Sequence, residues 1–174
     1  MRKKRLLQLT AALLCAVILS ACGGAPADAD YTCTVSISCA TILDNMDQCA
    51  ESKKELVPAD GVILPPTEVA FAEGESAFDV LQRVCRDNGI HLESKFTPVY
   101  NSAYIQGIHN IYEFDVGKLS GWMYAVNDWF PNYGCSLYQV QDGDVIRWVY
   151  TCDLGADVGG GQAVGDGQQE GAST

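Results

Sequence analysis

The sequence predicts an α+β domain, a roll of the β-grasp kind with one main helix packed on a mixed β-sheet. Three observations carry this. One segment, Ser76 to Gly89, has helical apolar spacing with both a start and a stop signal. Segments before and after it alternate apolar and polar residues, as half-buried strands do. Turn residues separate the later strands at short intervals. A single helix with strands on either side of it in the chain suits a helix laid across one sheet.

Taken in order, Thr32 to Ser38 sets Cys33, Val35 and Ile37 on one face and Thr32, Thr34, Ser36 and Ser38 on the other, which predicts the first strand. Thr41 to Lys54 is ambiguous and admits a short helix around Ile42 to Met46 followed by a charged loop. Val62 to Leu64 and Glu68 to Phe71 predict two strand pieces, interrupted by Pro65-Pro66. Ser76 is placed to cap the helix, with Asp79 at the third position as a weaker relative of the Ser-x-x-Glu capping box. Phe78, Leu81, Val84 and Cys85 give its apolar face, and Asn88-Gly89 ends it because glycine accepts the left-handed conformation. Strands are then predicted over Ile90 to Phe96, Ala103 to Ile105, Ile111 to Phe114, Gly121 to Val126 and Val145 to Thr151. Turns fall at Gln106-Gly107, Asn127-Asp128 and Gln141 to Asp144.

Outside this domain, residues 31–154, the chain changes character. Arg2, Lys3, Lys4 and Arg5 precede an apolar run from Leu6 to Leu19, about the length of a signal-peptide core. The run ends in Leu19-Ser20-Ala21-Cys22, which resembles the lipobox of bacterial prelipoproteins. That resemblance implies cleavage of residues 1–21 and acylation of Cys22, a durable anchor when two or more chains are attached. Residues 22–30 would be a flexible tether. The expected location is the extracytoplasmic face of a membrane. Gly155 to Thr174 holds seven glycines in twenty residues and no aromatic residue, so it is expected to be disordered.

Without the leader, seven basic residues stand against twenty-two acidic, a formal charge of −15. Nucleic acid is an unsuitable partner for such a chain, since phosphate binding needs clustered Lys and Arg. Peripheral attachment to anionic lipid is disfavoured for the same reason, leaving the lipid anchor as the membrane contact. Six cysteines remain once Cys15 and Cys22 are set aside: Cys33, Cys39, Cys49, Cys85, Cys135 and Cys152. None forms a C-x-x-C pair, and export favours disulfides over redox or zinc motifs. Six cysteines allow fifteen connectivities. In a β-grasp roll the first and last strands lie side by side and parallel, which would bring Cys39 and Cys152 together as a bonded pair.

Catalytic patterns are missing. His91 and His109 have no hydrolase motif around them, and there is no phosphate-binding glycine loop, His-Glu-x-x-His or Gly-x-Ser-x-Gly. Asp142 and Asp144 flank a glycine, but calcium needs six to eight oxygens and this loop offers few, so a plain turn is expected. The expectation is a non-enzymatic protein that requires no cofactor and no metal.

Aromatic residues carry the functional signal. Of sixteen, eight lie between Gly121 and Tyr150, including all three tryptophans. Trp122, Tyr124 and Val126 share one strand face, and Ile146, Trp148 and Tyr150 share another; both faces are expected to form core. Trp129, Phe130 and Tyr133 follow a turn instead. Loop aromatics beside a rigid sheet are either binding anchors or a cover for a sheet edge. As anchors they would line a concavity with Trp122 or Tyr124, which makes these five residues the candidate ligand-binding set.

Ser120-Gly121-Trp122-Met123-Tyr124-Ala125-Val126-Asn127 and Asp142-Gly143-Asp144-Val145-Ile146-Arg147-Trp148-Val149-Tyr150 resemble the transcobalamin-like C-terminal domain. That is a bacterial surface domain of unassigned function, related to the β-domain of transcobalamin and intrinsic factor. The resemblance implies a small β-rich ligand-binding domain, with cobalamin or another corrinoid as the bound ligand to test first. Transcobalamin and intrinsic factor hold cobalamin between this domain and a helical barrel, for which the chain has no room. The resemblance therefore implies half a site, to be completed by a partner protein or used for another ligand. The family commonly has Asn-Gly where this chain has Asn127-Asp128, and aspartate is the less suited to positive φ. A structural or adhesive module binding a surface protein or glycan through the same loop is the competing expectation.

Overall fold

The computed structural model describes residue 26 and residues 29–161. The expected leader, the lipidation site Cys22, nearly all of the tether and the tail beyond residue 161 lie outside the described residues. Within them the fold is α+β. A four-stranded sheet has the order β2-β1-β7-β6, and a second, three-stranded sheet has the order β3-β4-β5.

β1 (Tyr31–Ser38) buries Cys33, Val35 and Ile37 as its alternation predicts. It pairs antiparallel with β2 (Val62–Phe71) and parallel with β7 (Val145–Thr151), which pairs antiparallel with β6 (Gly121–Val126). The parallel pairing of the first strand with the last is the arrangement expected of the β-grasp roll. Between β1 and β2 run two 3₁₀ turns, Ala40–Asn45 and Glu51–Leu56, where one short helix and a charged loop are expected.

β2 is one strand of ten residues, not two pieces. Val35 pairs with Thr67 and Ile37 with Leu64, so Pro65 and Pro66 together stand opposite Ser36 in a bulge. β2 is also a sheet edge, where a missing N–H breaks no outer ladder.

The helix α1 (Ala77–Asp87) is capped as the sequence predicts. Asp79 N–H donates to Ser76 Oγ at 3.2 Å, and Ser76 N–H donates to Asp79 Oδ2 at 2.9 Å. Such a cap stabilises a helix by about 1 kcal/mol. Ala77, Val80, Leu81, Val84 and Cys85 are buried on its inner face, whereas Phe78 is half-buried. Arg83 is buried too, paired to Glu75 and donating to the Ala70 carbonyl at 2.7 Å, so it ties the helix to β2.

β3 (Leu92–Thr97), β4 (Ser102–Ile108) and β5 (Ile111–Tyr112) form the second sheet. Gln106-Gly107 is not a turn but lies within β4, where the Tyr112 ring packs over Gly107 and a Cβ would meet it at 2.7 Å. The turn is His109-Asn110, with φ of 57° and 60°, joining Ile108 to Ile111. β6 and β7 have the predicted bounds.

The folded domain continues past Leu154. Ala156–Val158 form a 3₁₀ turn, and Asp157 Oδ2 accepts from Cys152 N–H at 2.7 Å. Gly155 and Gly160 are buried, so the expected disorder does not begin at Gly155.

Candidate functional site

β6 and β7 each set an alternating aromatic pair on the face turned toward the second sheet. Trp122 lies opposite Tyr150, and Tyr124 lies opposite Trp148. The first pair meets edge to face, with ring centroids 5.3 Å apart. The second is stacked at 5.5 Å with 27° between the planes. Such contacts contribute roughly 0.5–1.5 kcal/mol each beyond burial. Trp122 Nε1 donates to the Ile111 carbonyl at 2.8 Å and fastens β5 to β6. Tyr150 hydroxyl donates to the Tyr112 carbonyl at 2.8 Å. These bonds hold the two sheets together.

Part of this aromatic layer is open, forming a cavity of ≈ 170 Å³. Trp122, Met123 and Tyr124 of β6 and Trp148 of β7 make one side, and Ala103, Tyr104 and Ile105 of β4 make another. Pro131, Tyr133 and Cys135 close it from the loop after β6. That loop is pinned in place. Tyr124 hydroxyl donates to the Tyr133 carbonyl at 3.0 Å, and Ala103 N–H donates to Ser136 Oγ at 2.9 Å. Gly134 lies so close to Ser102 that a Cβ would fall 2.1 Å from its Oγ.

The turn that starts the loop is tight. Asn127 and Asp128 have φ of 51° and 67°, and Val126 and Trp129 exchange N–H···O=C bonds of 2.8 and 2.9 Å. Aspartate thus occupies the left-handed position without loss of the turn, and its Oδ1 accepts from Arg147 at 2.9 Å. Asn127 side-chain nitrogen donates to Asp144 Oδ1 at 2.8 Å. Asp144 is buried, and its Oδ2 accepts from Tyr138 hydroxyl at 2.9 Å and Gln141 N–H at 2.8 Å. Asp142 accepts from Thr32 N–H at 2.9 Å. Both carboxylates therefore organise the turns around β7. Among the described residues no group of three or more His, Cys, Asp or Glu is placed to hold a metal.

The structure separates the five candidate residues. Trp122 and Tyr124 are buried in the cavity wall. Tyr133 lines it and is 39% exposed. Trp129 is 52% exposed and meets Tyr133 edge-on at 6.0 Å, outside the lining. Phe130 does not belong to the set: it is buried, and a Cβ on Gly160 would lie 2.8 Å from its ring and 3.1 Å from Met123 Cε. The segment after β7 covers Phe130, a contact invisible in a sequence read as tail from Gly155.

Burial keeps the cavity walls uncharged. Desolvation raises the pKa of Tyr124 and Tyr133, and Cys135 is pushed up to about 12. A thiol held protonated in this way is a poor nucleophile. Tyr104 is raised by desolvation and by its hydroxyl bond to Glu113 at 2.6 Å. Trp148 Nε1 is a buried donor without a hydrogen-bond partner among the described residues. Ala103, Tyr104 and Ile105 are not candidates from sequence, because nothing local reveals that β4 crosses near β6.

Cys39 and Cys152 do reach the same end of the sheet, since Ser38 pairs with Val149 and Cys152 Sγ is 3.9 Å from Thr41 Oγ1. Both are thiols in this structure, as are Cys33, Cys49, Cys85 and Cys135.

A family described as a domain of unknown function (DUF4430) matches residues 74–152. No curated protein matches the chain. Among solved structures, haptocorrin in complex with Cbi is similar in fold, with a TM-score of 0.52 and 12% sequence identity. The similarity covers 71% of this chain and 25% of the haptocorrin chain, so this chain spans about a quarter of its length. A chain from Ruminococcus gnavus ATCC 29149 described as a candidate metal binding protein overlays at a TM-score of 0.42 and 15% identity, covering 70% of this chain and 97% of its own.

Proposed function

We propose that this protein is a non-catalytic, lipid-anchored module on the extracytoplasmic face of a membrane that captures a small molecule in the cavity between β4 and β6. The observation that carries this reading is the cavity itself, walled by Trp122, Tyr124, Trp148 and Tyr133 and pinned by Tyr124 and Gly134. Apolar, aromatic concavities with a few polar atoms are the usual form of small-molecule sites. The leader and the Leu19-Ser20-Ala21-Cys22 motif support the anchor.

A corrinoid is the proposed ligand. The transcobalamin-like motifs in β6 and β7 and the fold similarity to haptocorrin, solved in complex with Cbi, support this choice. Enclosed sites for drug-sized ligands measure roughly 300–1,000 Å³, so ≈ 170 Å³ admits only an edge or a substituent of such a molecule. The module then offers half a site, and a surface partner supplies the rest.

Titrating the full chain with a corrinoid panel, read by tryptophan fluorescence, tests this. Saturable quenching lost in Tyr133→Ala supports it; no binding by any member overturns the corrinoid assignment. A second reading, adhesion to a protein or glycan, moves the contact from the expected Trp129–Tyr133 loop to Val99 and Tyr100, which stand 85% and 72% exposed between β3 and β4. It predicts binding that Tyr100→Ala removes and Tyr133→Ala leaves intact.

A further inference from the structure

We propose that β3 is a self-recognition edge, through which two copies of this chain pair antiparallel in the register that sets Ser94 opposite Ser94. β3 is an outer strand of its sheet, and four consecutive residues, Glu93 to Phe96, are exposed. The other edges are blunted, short or covered: β2 carries Pro65-Pro66 and a bulge, β5 has two residues, and β6 is buried at four of its six residues. β3 has neither proline nor an extra residue, since the register shift against β4 places the unpaired residue, Gln106, on β4. An unpaired regular edge is a template for another strand.

The occupant follows from the two faces of β3. Leu92, Ser94 and Phe96 pair with Ile108, Ile105 and Ala103, so they lie on the face that β4 turns to the core. Phe96 nevertheless stands 59% exposed, because the apolar layer ends with its strand. Glu93 and Lys95 lie on the opposite face. Lys95 has no carboxylate partner among the described residues. A lysine on an edge ordinarily deters pairing. In the register centred on Ser94 it does the reverse: each Lys95 faces Glu93 of the second copy, and each Phe96 faces Leu92 of the second copy. Both faces are then complementary at once, with two opposite-charge pairs on one and two apolar pairs on the other. A slide of two residues centres the pair on Lys95 or Glu93 and sets like charges face to face.

Cysteine crosslinking of the full chain in membranes tests this. Opposed residues of an antiparallel pair have Cα atoms about 4.5–5.5 Å apart, within disulfide reach. Ser94→Cys treated with a mild oxidant should give a dimer of twice the chain mass that the unsubstituted chain does not give. Thr97→Cys, which the same register sets opposite residue 91, should give none. Adding Lys95→Glu to Ser94→Cys should lower the dimer yield by about tenfold, and adding Glu93→Lys as well should restore it. Glu93, Ser94 and Lys95 are exposed and Thr97 is half-buried, so unchanged circular dichroism is expected throughout. No dimer from Ser94→Cys, an adduct of another mass, or a yield indifferent to Lys95→Glu overturns the proposal.

Discussion

Tyr124 and Trp148 stack across the β6–β7 ladder at 5.5 Å, and the same tyrosine holds the Tyr133 carbonyl through its hydroxyl. One residue thus joins the cavity wall to the loop that closes it. Tyr124→Phe keeps the stack and removes only the bond to the loop. Stability should fall by roughly 0.5–1.5 kcal/mol in a urea melt. Ligand affinity should fall as well, because the cavity's edge is no longer held. An unchanged melt would show that the loop is fixed by Gly134 and Ser136 alone.

Trp129 and its neighbour Phe130 should behave oppositely. Trp129→Ala removes a half-exposed ring and should change stability by no more than about 0.5 kcal/mol, while costing roughly 1–3 kcal/mol of binding if the ring reaches the ligand from the rim. Phe130→Ala empties a packed position and should cost about 3–5 kcal/mol of stability. Paired denaturant and binding curves measure both. A large stability loss in Trp129→Ala would remove it from the site.

At the Asn127-Asp128 turn, φ of 67° at Asp128 favours glycine. Its exposed ion pair with Arg147 contributes little. Asp128→Gly should therefore raise stability by up to about 1 kcal/mol, seen as a higher Tm. A lower Tm would mean that the Arg147 contact outweighs the backbone preference.

Asp144 should be far less tolerant. Asp144→Ala leaves Asn127, Tyr138 and the Gln141 N–H without their acceptor in a buried place, at a cost of about 3 kcal/mol or more. Calcium up to millimolar concentrations should not change the Tm of the unsubstituted chain. A calcium-dependent rise would contradict the structural role assigned to Asp142 and Asp144.

Thiol burial links stability to alkaline pH. The thiols of Cys33, Cys39, Cys85 and Cys135 are pushed up by desolvation to about 12, and Cys152 to about 11, from an ordinary 9.0. Below about pH 9 both folded and unfolded chains keep these protons. Between 9 and 12 the unfolded chain loses them first, so the stability of the reduced protein falls as pH rises. We expect Cys39 and Cys152 to bond on oxidation, which removes two of these groups and makes the alkaline fall shallower. Peptide mapping without reductant identifies the bond; Cys39 linked to Cys49 would refute the pairing.

Where neighbours in sequence decide the structure, the reading was close. The Ser76 cap, the alternation of Gly121 to Val126 and Val145 to Thr151, and the Asn127-Asp128 turn were all legible. Parallel pairing of β1 with β7 also followed, since a roll with one helix leaves few other orders. Contacts between distant segments were not legible. Pro65-Pro66 looked like a break because tolerance of a bulge depends on an edge position the sequence does not display. Phe130 looked like a loop anchor because its cover, Gly155 to Gly160, has the composition of a tail. Three of the ten residues around the cavity belong to β4, whose residues carry no chemical mark.

Because β1 and β7 run the same way, the start of β1 and the Asn127-Asp128 turn lie at one end of the sheet, with Cys39 and Cys152 at the other. Nine residue steps separate Cys22 from Tyr31, a reach of at most about 30 Å when fully extended. If Cys22 is acylated as proposed, the start of β1, with the Asn127-Asp128 turn at the same end of the sheet, would be leashed within about one bilayer thickness of the lipid surface. A diffusing ligand would be met in that narrow layer, and a partner completing the site would approach sideways along the membrane.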